Sequence, residues 1–245
     1  MNHVQVKNAD CLIEMKNIPD KSIDMILCDL PYGVTACKWD VVIPFEPLWE
    51  QYKRIIKDRG CIALFGSEPF SSHLRMSNIK NYKYDWIWEK TRSTGFFTAK
   101  KRPMKIHENI SIFNSENYYP IKTKADENKI DKRKTLNPTY SPYLKVFKQR
   151  VKDSGYRFPN SIIKFSSIFQ KGQHESQKPV ALYRWLLSNY AKPNDKIIDT
   201  HSGSGSLACA CHLEKFDFLA IEKDADYYKS SVERLETLRS QGRLF

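Results

Sequence analysis

Short apolar runs alternate with amphipathic stretches along most of the chain. Val4–Lys7 has the pattern of a short strand and ends at Asn8-Ala9-Asp10. Cys11–Asn17 predicts one or two helical turns, closed by Pro19. Ile23–Cys28 is nearly continuous in apolar residues, as expected of a strand buried on both faces. It stops at Asp29-Leu30-Pro31-Tyr32-Gly33, where proline and glycine turn a chain out of a sheet. Phe45–Lys57 predicts an amphipathic helix. Cys61–Phe65 predicts a second buried strand ended by Gly66-Ser67, and Tyr82–Trp88 and Ile106–Phe113 two more.

Between Asn114 and Lys171 the rhythm breaks. The segment is polar and basic and holds Pro120, Pro138, Pro142 and Pro159, so it reads as a small insertion. The rhythm then resumes. Pro179–Tyr190 predicts a helix with proline at its first position, and Lys196–Asp199 a strand. Gly203 and Gly205 punctuate the turn into a helix over Ser206–Leu213. Phe218–Ile221 is a strand ending at Glu222, and Asp224 caps a last helix to about Leu238. Alternating strands and helices predict an α/β fold with a doubly wound, mostly parallel sheet, whose ligands bind at the carboxyl ends of its strands. The chain divides into 1–113, an insertion over 114–171, and 172–245.

Charge sharpens the picture. The 245 residues carry a net charge of +12. From Pro120 to Lys171 there are 13 Lys/Arg and 4 Asp/Glu, so this segment holds +9 of that total. Tyr140, Tyr143, Phe147, Tyr156 and Phe158 are interleaved with the basic residues. Cations among aromatics suit phosphate contact and base stacking, which points to nucleic acid. Lys132, Arg133, Lys134, Lys145, Lys148 and Arg150 are the candidate phosphate contacts. No apolar run approaches the ~20 residues of a membrane span, and no leader pattern opens the chain, so a cytoplasmic protein is expected. The six cysteines are scattered without a C-x-x-C pair, which predicts reduced, buried thiols and no metal site.

Three loops carry chemistry, each just after a predicted strand or before a helix. In Asp199-Thr-His-Ser-Gly203-Ser-Gly205-Ser206, two glycines allow close backbone approach to a ligand. Glu222, at the end of the next strand, is placed to take ribose hydroxyls, so the pair reads as a nucleoside-binding unit. No lysine follows the glycines, which argues against a phosphate loop. Asp29-Leu30-Pro31-Tyr32 joins a carboxylate, a stiff turn and an aromatic face, a set suited to a planar ring bearing an amino group. His174-Glu-Ser-Gln177-Lys178-Pro179 is by itself only a polar loop before a helix.

Together these segments resemble the amino-methyltransferases of DNA. Asp29–Tyr32 is similar to their [D/N/S]-P-P-[Y/F/W] catalytic motif, Asp199–Ser206 to their D-P-F-x-G-S-G-T cofactor loop, and His174–Pro179 to the H-P-x-Q-K-P segment before it. The order, catalytic motif first, resembles the permuted β group of that family, in which the slot of the basic insertion holds the target-recognition region. Leu30 stands where the family has proline, His201-Ser202 where it has Pro-Phe, and Asn8-Ala9-Asp10, which resembles the family's G-D segment at the cofactor's adenine, lacks the glycine.

The resemblance implies S-adenosylmethionine as cofactor and double-stranded DNA as partner, with the target base flipped into a pocket. It implies catalysis by Asp29, Leu30, Pro31 and Tyr32. It places Asp10, Cys11, Asp29, Lys178, Asp199, Thr200, Ser202, Gly203, Ser204, Gly205, Ser206, Glu222 and Lys223 at the cofactor. Aspartate at the first catalytic position goes mostly with N6 of adenine in this family, and serine with N4 of cytosine. The alternatives are cytosine N4, an RNA base, or an inactive nucleic-acid-binding relative. A homodimer and a cognate restriction endonuclease are the further partners the resemblance raises.

Overall fold

The computed structural model describes residues 4–34, 40–130, 153–166 and 177–241. Its larger unit, Met1–Tyr119 with Ser161–Phe245, is built on one eight-stranded sheet. In chain order the elements are β1 (Val4–Asn8), α1 (Cys11–Glu14), β2 (Ile23–Asp29), α2 (Phe45–Ile55), β3 (Ile56–Gly66), α3 (Phe70–Ser77), β4 (Tyr82–Thr94) and β5 (Lys105–Phe113). A small unit carrying β6 (Thr123–Lys124) and β7 (Tyr156–Arg157) follows. The chain then forms β8 (Ile162–Lys164), α4 (Val180–Tyr190), β9 (Lys196–Asp199), α5 (Ser206–Glu214), β10 (Asp217–Glu222) and α6 (Ala225–Gln241).

The strand order is β1-β10-β9-β2-β3-β5-β4-β8. The pairings from β1 to β3 and that of β4 with β8 are parallel, and β5 is antiparallel to both β3 and β4. Only β5 therefore runs against the others, and the expected doubly wound, mostly parallel α/β sheet is what forms.

The unbroken apolar runs follow from burial on both faces. Met25 and Leu27 of β2, with Cys61, Ala63 and Phe65 of β3, join the core cluster that includes Leu182, Leu186 and Leu187 of α4. Ile26, Cys28, Ile62 and Leu64 point the other way, into the cluster with Leu48 and Tyr52 of α2. Successive strand residues face opposite sides, so a sheet covered by helices on both must be apolar at nearly every position. Truncating any of the leucine, isoleucine or methionine side chains among these to alanine costs about 2–5 kcal/mol.

The elements differ from those expected at several points. The helix predicted to reach Lys57 stops at Ile55, because Ile56 turns extended and is buried in β3 opposite Ile23. Lys57 then pairs with Asp24 at 2.6 Å. The helix Phe70–Ser77 was not anticipated: it is two turns long and held by Phe70, Ser71 and Leu74. Nor was β8 anticipated, three residues with only Ile163 buried. Asn114 also belongs to the larger unit, donating to the carbonyls of Lys57, Asp58 and Gly60.

The second compact unit is Pro120–Asn160. Its described residues include the antiparallel pair β6–β7, a Lys122 ammonium 4.3 Å from the Phe158 ring centre, and an Arg157 guanidinium held by both oxygens of Asp153 at 2.7 and 2.8 Å. Lys132, Arg133, Lys134, Lys145, Lys148 and Arg150 lie outside the described residues, as do Tyr140, Tyr143 and Phe147.

Candidate active site

The carboxyl ends of β2, β3, β9 and β10 border a cavity of about 680 Å³. Asp29 ends β2, and the chain leaves the sheet at once through Leu30-Pro31-Tyr32. All four residues line the cavity. The Tyr32 hydroxyl donates to Asp29 Oδ1 at 2.6 Å, and one side of its ring stacks on Phe70 with centroids 5.2 Å apart. Buried Asp40 accepts from the Gly33 and Val34 amides at 2.8 and 2.9 Å and so fastens the turn after the motif. Trp39 and His174 lie outside the described residues.

Lys178 is buried and lies between two carboxylates. Its Nζ donates to Asp29 Oδ2 at 2.7 Å and is 3.1 Å from Glu108 Oε2. Lys90 lies 3.1 Å from the other Glu108 oxygen. Two cations and two anions thus close a neutral cluster under the cavity. Burial raises the Asp29 pKa, which Lys178 lowers and Glu108 raises again; the net shift is upward. Glu108 is also pushed up by burial, but Lys178 and Lys90 together hold it below its ordinary value.

The glycine turn forms the other wall. Glu222 accepts from the Gly203 amide at 2.7 Å through one oxygen and from the Asp224 amide at 2.8 Å through the other. The Lys223 amide also bears on this carboxylate, and of its roughly four acceptor sites at least one remains open. Gly203 has φ +49, and nothing lies within 4 Å of where its Cβ would stand. Ser202 is buried on the cavity wall with an Oγ that has no hydrogen-bond partner. Ser204, Ser206, Glu222 and Lys178 line the cavity as well.

A family model for DNA methylases matches residues 23–233. The chain belongs to this DNA methylase family. Similar curated proteins include the type II methyltransferase M.HinfI of Haemophilus influenzae, 25% identical over 96% of this chain and 68% of its own length. The DNA adenine methyltransferase YhdJ of Escherichia coli is 27% identical over 94% of this chain and 81% of its own. Among solved structures, the M1.HpyAVI–SAM complex superposes with a TM-score of 0.60 at 19% identity, covering 94% of this chain and 98% of that one. PvuII DNA methyltransferase, described as cytosine-N4-specific, does so with 0.66 at 13% identity, covering 98% and 92%. These two share the fold.

Several residues expected at the methylase's cofactor are not among those that line the cavity. Thr200 is buried; its amide donates to Cys28 Sγ at 3.1 Å, and its Oγ1 lies 2.6 Å from the Tyr52 hydroxyl. Asp199 is buried and accepts from the His201 amide at 3.0 Å. Burial raises its pKa to about 7. Gly205 is the N-cap of α5 and packs on Ser231, whose Cβ would lie 2.8 Å from an added Cβ. Asp10 caps α1 through Leu12 and pairs with Lys223 at 3.1 Å. Cys11 is buried, its Sγ 3.9 Å from His201 Nε2.

Glu108, Lys90 and Lys105 line the methylase cavity but were not singled out beforehand. They sit on the antiparallel pair β4–β5; Lys90 and Glu108 fall within Asp85–Lys90 and His107–Asn109, segments that resemble the family's intervening strands without giving either residue a role. The available signal was a charged residue at the start of an otherwise apolar strand.

Proposed function

We propose that this DNA methylase transfers the methyl group of S-adenosylmethionine to the exocyclic amino group of a base extruded from duplex DNA, and that the base is adenine, at N6. One observation carries the reading: the Asp29 carboxylate and the Gly203–Glu222 turn face one cavity large enough for a nucleoside cofactor and a base together.

The residues fit that cofactor. Open space at Gly203 leaves the backbone accessible, Glu222 keeps an open site to accept a ribose hydroxyl, and the unpartnered Ser202 Oγ awaits a polar group. When bound, S-adenosylmethionine supplies an electrophilic sulfonium methyl. The chain's own part is positioning. The Tyr32 hydroxyl and Lys178 each occupy one site on an Asp29 oxygen. A lone pair then remains on each oxygen to accept an amino hydrogen, and the Leu30 carbonyl accepts the other. Held this way, the nitrogen keeps its lone pair for the methyl, and the Tyr32 ring offers a stacking surface to the base.

A covalent nucleophile is not part of the reading. Burial pushes the Cys11 thiol up to about 12 and the Cys28 thiol well above its ordinary value, so both stay protonated. Aspartate at the head of the catalytic loop and the adenine methyltransferase among the relatives support adenine over cytosine.

The reading extends to phosphate contacts by Lys132, Arg133, Lys134, Lys145, Lys148 and Arg150, to a homodimer, and to a cytoplasmic enzyme. Two relatives are type II methyltransferases by name, which supports a cognate restriction endonuclease. Among the described residues no helix is long and apolar enough to cross a membrane. Asp29→Ala tests the core of the proposal. It is expected to bind S-adenosylmethionine with near wild-type affinity and to lose at least ~10³-fold in methyl transfer to DNA; transfer within a few-fold of wild type contradicts it.

A further inference from the structure

The turn between β4 and β5 stands at the same edge of the sheet as the cavity. Thr94 ends β4 and Lys105 begins β5, and Gly95, Arg102 and Pro103 between them line the cavity. The turn bears two phenylalanines that the fold does not use: Phe96 is 75% exposed and Phe97 wholly so. Single exposed apolar residues are ordinary, but two adjacent exposed rings make a contiguous apolar patch, the kind of feature that marks a binding surface.

The turn is held in place. Gly95 has φ +92, and Phe96–Thr98 form one 3-10 turn. The Thr98 amide and hydroxyl both donate to the Gly95 carbonyl at 3.0 Å, and the Arg102 Nε donates to Thr98 Oγ1 at 3.0 Å. The two rings, with centroids 6.4 Å apart, are therefore presented on an ordered tip. Residues 90–105 carry six Lys/Arg and no Asp or Glu. An apolar tip in a cationic collar suits a polyanion with an apolar interior, which describes duplex DNA: phosphates outside, stacked bases within.

We propose that Phe97, supported by Phe96, is a wedge that enters the base stack beside the target and fills the space its extrusion opens. The proposal rests on the reading of the cavity as a pocket for a flipped base. It adds the element that offsets the lost stacking, since unstacking costs a few kcal/mol per step.

The test compares wild type with Phe97→Ala and Phe97→Leu on unmethylated plasmid DNA, native and heat-denatured, with S-adenosylmethionine binding measured separately. Phe97→Ala is expected to lose more than tenfold in kcat/KM on native duplex and much less on denatured strands, with cofactor affinity unchanged. Phe97→Leu, which keeps an apolar wedge, is expected to recover most of the loss. Equal losses on both substrates, or activity within twofold of wild type on duplex, overturn the wedge. Unwinding of a relaxed closed plasmid is read independently of methylation, as a topoisomer shift after ligation with bound protein. Wild type is expected to unwind and Phe97→Ala not to; wild-type protein that methylates nothing yet unwinds in this Phe97-dependent way would sink the cavity reading and keep the wedge, and equal unwinding by both proteins overturns the wedge.

Discussion

The Lys178 ammonium donates to Asp29 Oδ2 at 2.7 Å, so the carboxylate proposed to hold the target amino group is oriented by a residue 149 positions away in the chain. Glu108 draws the same ammonium from the other side at 3.1 Å. Burial disfavours the charge on Asp29 most, and against it one cation and one anion set the remaining balance.

That balance predicts opposite pH shifts. Asp29 must be ionised to accept an amino hydrogen while it also accepts from the Tyr32 hydroxyl and Lys178, so its pKa sets the acid limb of kcat/KM. Lys178→Met removes the cation that lowers this pKa and moves the limb to higher pH, with a loss of about 10–100-fold near neutrality. Glu108→Gln removes the anion that raises it and moves the limb to lower pH. Profiles measured from pH 4 to 9 check both; limbs that stay put, or move together, contradict the assignment.

The two glycines of the cofactor turn are expected to fail differently. Gly205 has φ +76, and an added Cβ would meet Ser231 Cβ at 2.8 Å and Cα at 3.2 Å. Gly205→Ala therefore costs about 2–4 kcal/mol, a drop of roughly 5–15 °C in Tm. Gly203 has open space around it, so Gly203→Ala costs only about 1 kcal/mol of backbone strain. Its methyl instead intrudes on the cavity and weakens S-adenosylmethionine binding about tenfold or more. Thermal melts and titration calorimetry on both variants separate the two effects.

Asp199 makes stability fall as pH rises. Burial lifts its folded pKa to about 7 from an ordinary 3.8. The folded chain then binds this proton more tightly than the unfolded one, so the favourable contribution is complete below about pH 4 and is lost as pH rises through 7. Asp199→Asn keeps an oxygen for the His201 amide without the charge. Its Tm is expected to exceed that of wild type at pH 8, by an amount on the order of a few kcal/mol in stability, and the gap should shrink towards pH 4. A gap independent of pH would mean that Asp199 is not protonated in the fold.

Much of this site was legible from residue order because its parts are local. Asp29–Tyr32 and Asp199–Ser206 each follow a strand whose apolar run is plain, and a parallel sheet brings such strand ends to one edge. Glu222 was legible for the same reason. Glu108 and Lys90 were not: they reach the cavity because β4 and β5 form an antiparallel hairpin, and nothing in their spacing says that Lys178 will meet them. The strand Ile162–Lys164 was hidden because only one of its three side chains is buried. The cationic stretch around Phe97 went unnoticed because the larger excess between Pro120 and Lys171 dominated the charge count. Thr200 and Gly205 show the converse, residues of a recognised motif whose contacts lie with the packing outside the cavity lining.

The most direct test is transfer of labelled methyl from S-adenosylmethionine to unmethylated duplex DNA, followed by digestion and mass analysis of the nucleosides. N6-methyladenine as the labelled product is the expected result. Label in N4-methylcytosine contradicts the adenine assignment, and DNA left unlabelled by a protein that binds the cofactor contradicts the proposed activity itself.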